Sequence, residues 1–238
     1  MPKRFVVAAS EFPDLPRFLA GFELAEALTV AARQLHDTVT PHSTLRTAVQ
    51  LAVHLLPGAD HVGISVIERS HHRRTVAWSD DVVRTAEESG PLTEGQAPYW
   101  ADLWTAPVVR VDDSRTDTGG RTLSVLGLRS ALALRLRADR SRLTVLTAYS
   151  RRPHAFDERA TRVGRLFTAH VSIAFDSATV REQLTQAMHT RDLIGQATGI
   201  LMERMDMDAA EAFESLVKAS QRENVKLRDL ARRVVETR

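Results

Sequence analysis

Apolar residues recur along this chain in two rhythms. Residues 23–39 carry Leu24, Ala27, Leu28, Ala31 and Leu35 at steps of three and four, the stripe of an amphipathic helix that Pro41 ends. Ser43 or Thr44 stands where a cap belongs, and Leu45, Val49, Ala52, Val53 and Leu56 predict a second helix, stopped by Pro57-Gly58. The rhythm then shortens. Residues 62–67 and 75–78 read as strands joined by the polar turn His71-His72-Arg73-Arg74. Residues 79–130 mix helix and loop around a short strand at 108–111, with a polar loop from Asp112 to Arg121. Two more strands are expected at 130–137 and 143–149, joined by the turn 138–142. Helices followed by paired strands predict an α+β domain around an antiparallel sheet with flanking helices.

From Phe156 onward the pattern is helical. Val163, Leu166, His170, Ile173, Ser177, Val180, Leu184, Ala187, Arg191 and Ile194 alternate steps of three and four, and no Pro or Gly interrupts between Gly164 and Gly195. This predicts a long coiled-coil-like helix, suited to pairing with its copy in a second chain, against the alternative of packing on its own sheet. Residues 191–238 predict three short helices that must pack together to be stable. Ile194, Ala197, Leu201 and Met205 share one face of the first. Asp208 with Glu211 forms a capping-box pattern before a face of Ala212, Phe213, Leu216 and Val217. Asn224 is read as the cap of a third helix, with Leu227, Leu230, Ala231 and Val234 inward. The expected divisions are a tail at 1–22 containing three prolines, an α+β domain at 23–178, a connecting helix at 157–190 that overlaps its end, and an all-α unit at 191–238.

Composition narrows the chemistry. The 238 residues are 43% hydrophobic and 26% charged, enough apolar material for a packed core. No run approaches the ~18 consecutive apolar residues of a membrane span, and no signal peptide is expected. The chain has no cysteine, which excludes disulfides, thiolate metal sites and thiol nucleophiles and fits the cytoplasm. Of 32 basic residues only Lys3, Lys218 and Lys226 are lysine, so a phosphate-loop lysine and a kinase strand lysine are both missing. The nine histidines show no zincin spacing. No catalytic site, metal or cofactor is expected. The net charge of +2 does not argue for nucleic acid by itself, but residues 218–233 hold six basic residues against Glu223 and Asp229. That cluster is either a solvated face or a phosphate contact.

Three ordered segments near the C-terminus resemble a known family. They are Ile194-Gly195-Gln196-Ala197-Thr198-Gly199-Ile200-Leu201-Met202, Ala212-Phe213-Glu214-Ser215-Leu216, and Ser220-Gln221-Arg222-Glu223-Asn224-Val225-Lys226-Leu227-Arg228-Asp229-Leu230-Ala231. Together they closely resemble the ANTAR domain. The resemblance implies binding to hairpins with six-base loops in nascent transcripts, which disfavours the terminator and lets transcription continue. Within and beside these segments, RNA contacts are expected from Gln196, Thr198, Gly199, Arg204, Lys226 and Arg228, with Arg191, Arg222 and Arg232 as outer phosphate contacts. Thr198 stands where many such domains have lysine. The segment has no Tyr or Trp, and Phe213 is expected in the core, so recognition falls to arginines, amides and close backbone approach at Gly199. Gly195 and Gly199 share a face, and close helix packing is the other reason for such spacing.

The element order of residues 23–178 resembles a GAF domain, with similar segments at Gly95–Pro98, Leu126–Ala133 and Arg152–Asp157. The resemblance implies a sensor that takes a small molecule or partner. Related domains often carry a cysteine near the first segment and Arg-Trp-Pro near Arg115. Neither is present, which argues against a covalent bilin. Trp78, Tyr99, Trp100 and Trp104 either line a ligand pocket or fill the core. A phosphoacceptor receiver is excluded, because residues 4–217 lack the lysine it uses. The combined expectation is a dimeric, cytoplasmic GAF–ANTAR antitermination regulator. Its rivals are a double-stranded DNA-binding factor with 224–235 as recognition helix, and a dimerisation module that binds no nucleic acid.

Overall fold

Short-range chemistry fixes most element ends. The computed structural model describes residues 21–69, 72–88, 99–117 and 120–237. Residues 1–20 of the expected tail, His71 and the Gly95–Pro98 segment lie outside these described residues.

Helix α1 spans Gly21–His36 and α2 spans Pro41–Leu55. Pro41 begins α2 rather than ending α1, because proline suits the first helical turn, whose N–H groups have no partner within the helix. The cap is therefore Thr40, not Ser43 or Thr44. The Thr40 hydroxyl accepts from the Ser43 N–H at 3.1 Å, and the Ser43 hydroxyl accepts from the Thr40 N–H at 3.0 Å.

Strands β1 (His61–Glu68), β2 (Arg73–Trp78), β3 (Val108–Val111), β4 (Ser130–Ala138) and β5 (Arg142–Ser150) form one antiparallel sheet in the order β2-β1-β5-β4-β3. Both faces are covered. Leu132, Leu134, Leu146 and Ile64 face α1, α2 and the first turns of a long C-terminal helix, where Leu35, Leu51 and Phe167 are fully buried. Ala131, Ala133, Val145 and Tyr149 face the other way, toward helix α3 (Asp81–Glu88), a 3-10 helix (Tyr99–Trp104) and helix α4 (Arg121–Val125). Burial on both faces explains why Ala131–Leu134 reads as a continuous apolar run rather than an alternation. Gly63 lets α3 lie against β1, since a Cβ there would stand 2.6 Å from the Glu87 carboxylate oxygen.

The long helix, α5, runs unbroken over Glu158–Met205. It includes the expected connecting helix and the first of the three C-terminal helices. Only one stripe of its first half is buried: Ala160, Val163, Phe167, Val171, Ala174 and Ala178. Val163 thus belongs to the chain's own core. Ile194, at the far end of the predicted seam, packs on a second core, whereas Leu166, Ile173, Val180 and Leu184 between them are all at least half exposed. The chain divides into two compact units after Thr179. In the second, α5 is followed by α6 (Ala209–Glu223) and α7 (Leu227–Glu236). No helix among the described residues is long and apolar enough to cross a membrane.

Candidate functional site

The second unit closes on a small core. Ala197, Leu216, Leu230 and Ala231 are buried, with Leu193, Ile194 and Leu201 of α5 packed around them. Asp208 caps α6 as its spacing predicts, accepting from the Glu211 N–H at 2.9 Å while the Glu211 carboxylate accepts from the Asp208 N–H at 3.2 Å. Asn224 does not cap α7. It ends α6 in the left-handed region (φ 52°, ψ 39°), where asparagine substitutes for glycine, and its N–H donates back to α6. Ser220 locks this turn, its hydroxyl donating to the Val225 carbonyl at 2.6 Å. Lys226 is the residue preceding α7 and makes no side-chain cap.

This scaffold sorts the predicted RNA contacts. Arg191, Gly195, Thr198 and Gly199 follow one stripe of α5, and Gln196 borders it three residues before Gly199. Because Ala197 points into the core, this stripe faces outward. Among the described residues, a Cβ at Gly195 or Gly199 would meet nothing within 4 Å, so packing among them does not explain either glycine. The Thr198 hydroxyl donates to the Ile194 carbonyl at 2.8 Å. Arg204 leaves the stripe, and its guanidinium donates to the Thr237 carbonyl at 3.5 Å.

The basic cluster is less uniform than its sequence count. Arg228 and Arg232 share Asp229, at 3.6 and 3.9 Å. Arg233 pairs with Glu223, and Lys218 with Glu214. Among the described residues, Arg222 and Lys226 are exposed and enter no ion pair. Phe213 is not a core residue: it is 46% exposed, one step around α6 from buried Ala212 and Leu216. It lines an open cavity of about 790 Å³ with Gln183, Gln186, Thr190 and Arg191 of α5. The signal for this was the helical phase, because the inward face of α6 is set by Ala212, Leu216 and Ala219.

In the first unit the aromatic candidates split between two clusters. Trp78 is buried with Val83, Leu128 and Tyr149, and Trp100 with Ile67, Leu103 and Ala133. Tyr99 touches both, and Trp104 lies half-buried beneath the Arg69 guanidinium, 4.5 Å from the ring centre. Sequence reading missed the charged group among them. Glu87 is buried, accepting from Ser65 and, at 3.1 Å, from the Tyr149 hydroxyl. Arg73 lies 3.1 Å from the same carboxylate. The Tyr99 and Tyr149 hydroxyls are 2.9 Å apart. Burial raises the Glu87 pKa, although Arg73 and the hydrogen bonds from the Ser65 and Tyr149 hydroxyls work against it. Burial also opposes the charge on Arg73, but Glu87, Tyr99 and Tyr149 together outweigh it and the guanidinium is held more firmly protonated than usual. Arg73 and Glu87 are 14 residues apart and flank a loop, so no local spacing signals the pair. Among the described residues, the buried Trp78 indole N–H and Thr147 hydroxyl have no hydrogen-bond partner.

A family model for the GAF domain matches residues 38–176, and one for the ANTAR domain matches residues 182–235. No curated protein sequence matches the chain. Among solved structures, the GAF domain of a phosphoenolpyruvate-protein phosphotransferase from Coxiella burnetii is 13% identical, with a TM-score of 0.53 over 67% of this chain and 96% of that one. The phycoerythrobilin-bound GAF domain of a cyanobacterial phytochrome is 12% identical, with a TM-score of 0.52 over 68% and 98%. Free methionine-R-sulfoxide reductase from Neisseria meningitidis is 16% identical, with a TM-score of 0.52 over 69% and 96%. These likenesses establish the fold. GAF domains are sensor domains and ANTAR domains are RNA-binding antiterminator modules, both regulatory rather than catalytic. The chain belongs to the GAF domain family and carries an ANTAR domain over residues 182–235, which begins within its long helix.

Proposed function

We propose that this protein binds hairpin loops in nascent transcripts through residues 191–238 and so prevents terminator formation, under the control of a sensor at 23–178. The observation that carries this reading is the open stripe on α5. Each helical glycine costs about 1 kcal/mol relative to alanine, and none of the described residues approaches Gly195 or Gly199 closely enough to require one. A backbone arriving from outside does. Arg191 lies on the same stripe, and the uncommitted cations Arg222 and Lys226 supply further phosphate contacts within the ANTAR match. Gln196, Thr198, Arg204, Arg228 and Arg232 complete the proposed interface.

Two copies of the chain pair through the connecting segment 157–190 in this reading. The exposed apolar side chains of Leu166, Ile173, Val180 and Leu184 continue one seam along α5, which suits a partner helix. A small molecule in the first unit acts on the Trp78, Tyr99, Trp100 and Trp104 region, where the unpaired Trp78 N–H and Thr147 hydroxyl provide polar recognition.

The test is binding of the full chain to a six-base-loop RNA hairpin, a scrambled loop and a matched DNA duplex across a salt series. Loop-dependent binding near physiological salt is expected. Lys226→Ala should weaken binding and reduce the salt slope by about one. Equal, steeply salt-dependent binding to all three would reduce the interface to general arginine–phosphate attraction. Preference for the duplex would select a DNA-binding regulator.

A further inference from the structure

The first unit holds a cavity of about 490 Å³ on the sheet face that carries α1, α2 and α5, opposite the aromatic cluster. Its floor is a cross-strand row. Arg74 pairs with Val66, Val66 with Thr144, and Thr144 with Arg137, one residue from each of β2, β1, β5 and β4. Paired residues project from the same face, so both arginines border the same floor. Arg142 enters from the next position along, opposite Glu68, and Phe175 of α5 closes one side.

The charges around it are unevenly committed. Arg137 pairs with Asp176 at 2.8 Å. The Asp139 carboxylate holds its own turn, accepting from the Ser141 and Arg142 N–H groups at 2.8 and 2.7 Å. Among the described residues, Arg74 and Arg142 enter no ion pair, yet both line the cavity. His72 lies at the same rim. Among the described residues, Glu68 is the lining carboxylate with no such commitment.

We propose that this cavity binds an organic phosphate of nucleotide size. Arg74 and Arg142 hold the phosphate, since guanidinium forks match its oxygens. Val66 and Phe175 provide an apolar surface for the remainder of the ligand. Glu68 accepts from hydroxyl or amino groups and disfavours a bare polyanion, which selects a ligand with donors as well as negative charge. The volume lies within the range of about 300–1,000 Å³ usual for small-molecule sites. The site is separate from the proposed RNA interface and does not depend on it.

The experiment is calorimetric titration of the full chain with ADP, ribose 5-phosphate, inorganic pyrophosphate and an RNA hairpin. ADP should bind saturably and at least about tenfold more tightly than pyrophosphate. Arg74→Ala with Arg142→Ala should abolish ADP binding while leaving the thermal transition and hairpin affinity unchanged. Phe175→Leu should weaken ADP more than ribose 5-phosphate. Absence of ADP binding at millimolar concentration would overturn the proposal, as would ADP binding indifferent to the two arginine changes. So would pyrophosphate binding as tightly as ADP, which marks general anion attraction. Loss of hairpin affinity in the arginine variant without ADP binding would instead make the cavity part of an RNA path.

Discussion

Asp113 shows how a single carboxylate organises the edge of the sensor sheet. It accepts from the Arg129 guanidinium at 3.0 and 2.7 Å and from the Arg115 N–H at 3.1 Å, tying the loop after β3 to the start of β4. The Arg129 hydrogen bonds, aided by the Arg115 N–H, hold its pKa down to about 2. Because this value is depressed on folding, the contribution is present above the ordinary carboxylate pKa of about 3.9 and is lost as pH falls toward 2. Asp113→Asn should therefore flatten the acid limb of stability between about pH 4 and 2, read by urea unfolding over a pH series. Unchanged acid sensitivity would show that other carboxylates set that limb. Arg129 and Ser130 were visible in the sequence as part of a GAF-like segment. Their partners were not, because Asp113 and Arg129 meet only when β3 and β4 pair.

At the scale of the element, the turn between α6 and α7 carries the lesson. Asparagine before an apolar-periodic run is equally suited to an N-cap or to a left-handed C-cap, and spacing alone does not separate them. The backbone does: φ 52° at Asn224 identifies the end of α6. Glycine at this position should be tolerated, whereas alanine or serine should cost about 1–2 kcal/mol. An N-cap would reverse the order of glycine and serine. Chemical unfolding of the three variants, followed by helix signal, distinguishes the two. Thr40 and Pro41 make the same point at α2: capping chemistry was legible, but its register shifted because a proline starts a helix as readily as it stops one.

For the whole molecule the distinction that matters is between the two stripes of α5. Phe167 is fully buried, whereas Ile173 and Leu184 are 68% and 60% exposed. Phe167→Ala should destabilise the sensor unit by about 3–5 kcal/mol. Ile173→Glu with Leu184→Glu should leave that unit's unfolding midpoint nearly unchanged while converting a dimer to monomer, measured by sedimentation. If the double variant remains a dimer, the seam is not the pairing surface. The α+β order, the long helix and the three C-terminal segments were all legible, because each rests on periodicity or local capping.

The sequence by itself determined the kinds of element, their order, and the missing thiol and lysine chemistries, and it supplied the residues proposed to meet RNA. Those properties depend on neighbours within a few positions. Tertiary structure decided which faces were used. It placed Phe213 outside the core, left Gly195 and Gly199 open, and committed Arg228, Arg232 and Arg233 to carboxylates while Arg222 and Lys226 stayed unpaired among the described residues. It also buried Glu87 against Arg73 and gathered Arg74, Arg137 and Arg142 around one cavity. The physical reason is the same in each case: burial and ion pairing depend on which strands and helices come together, and that pairing joins residues far apart in the chain.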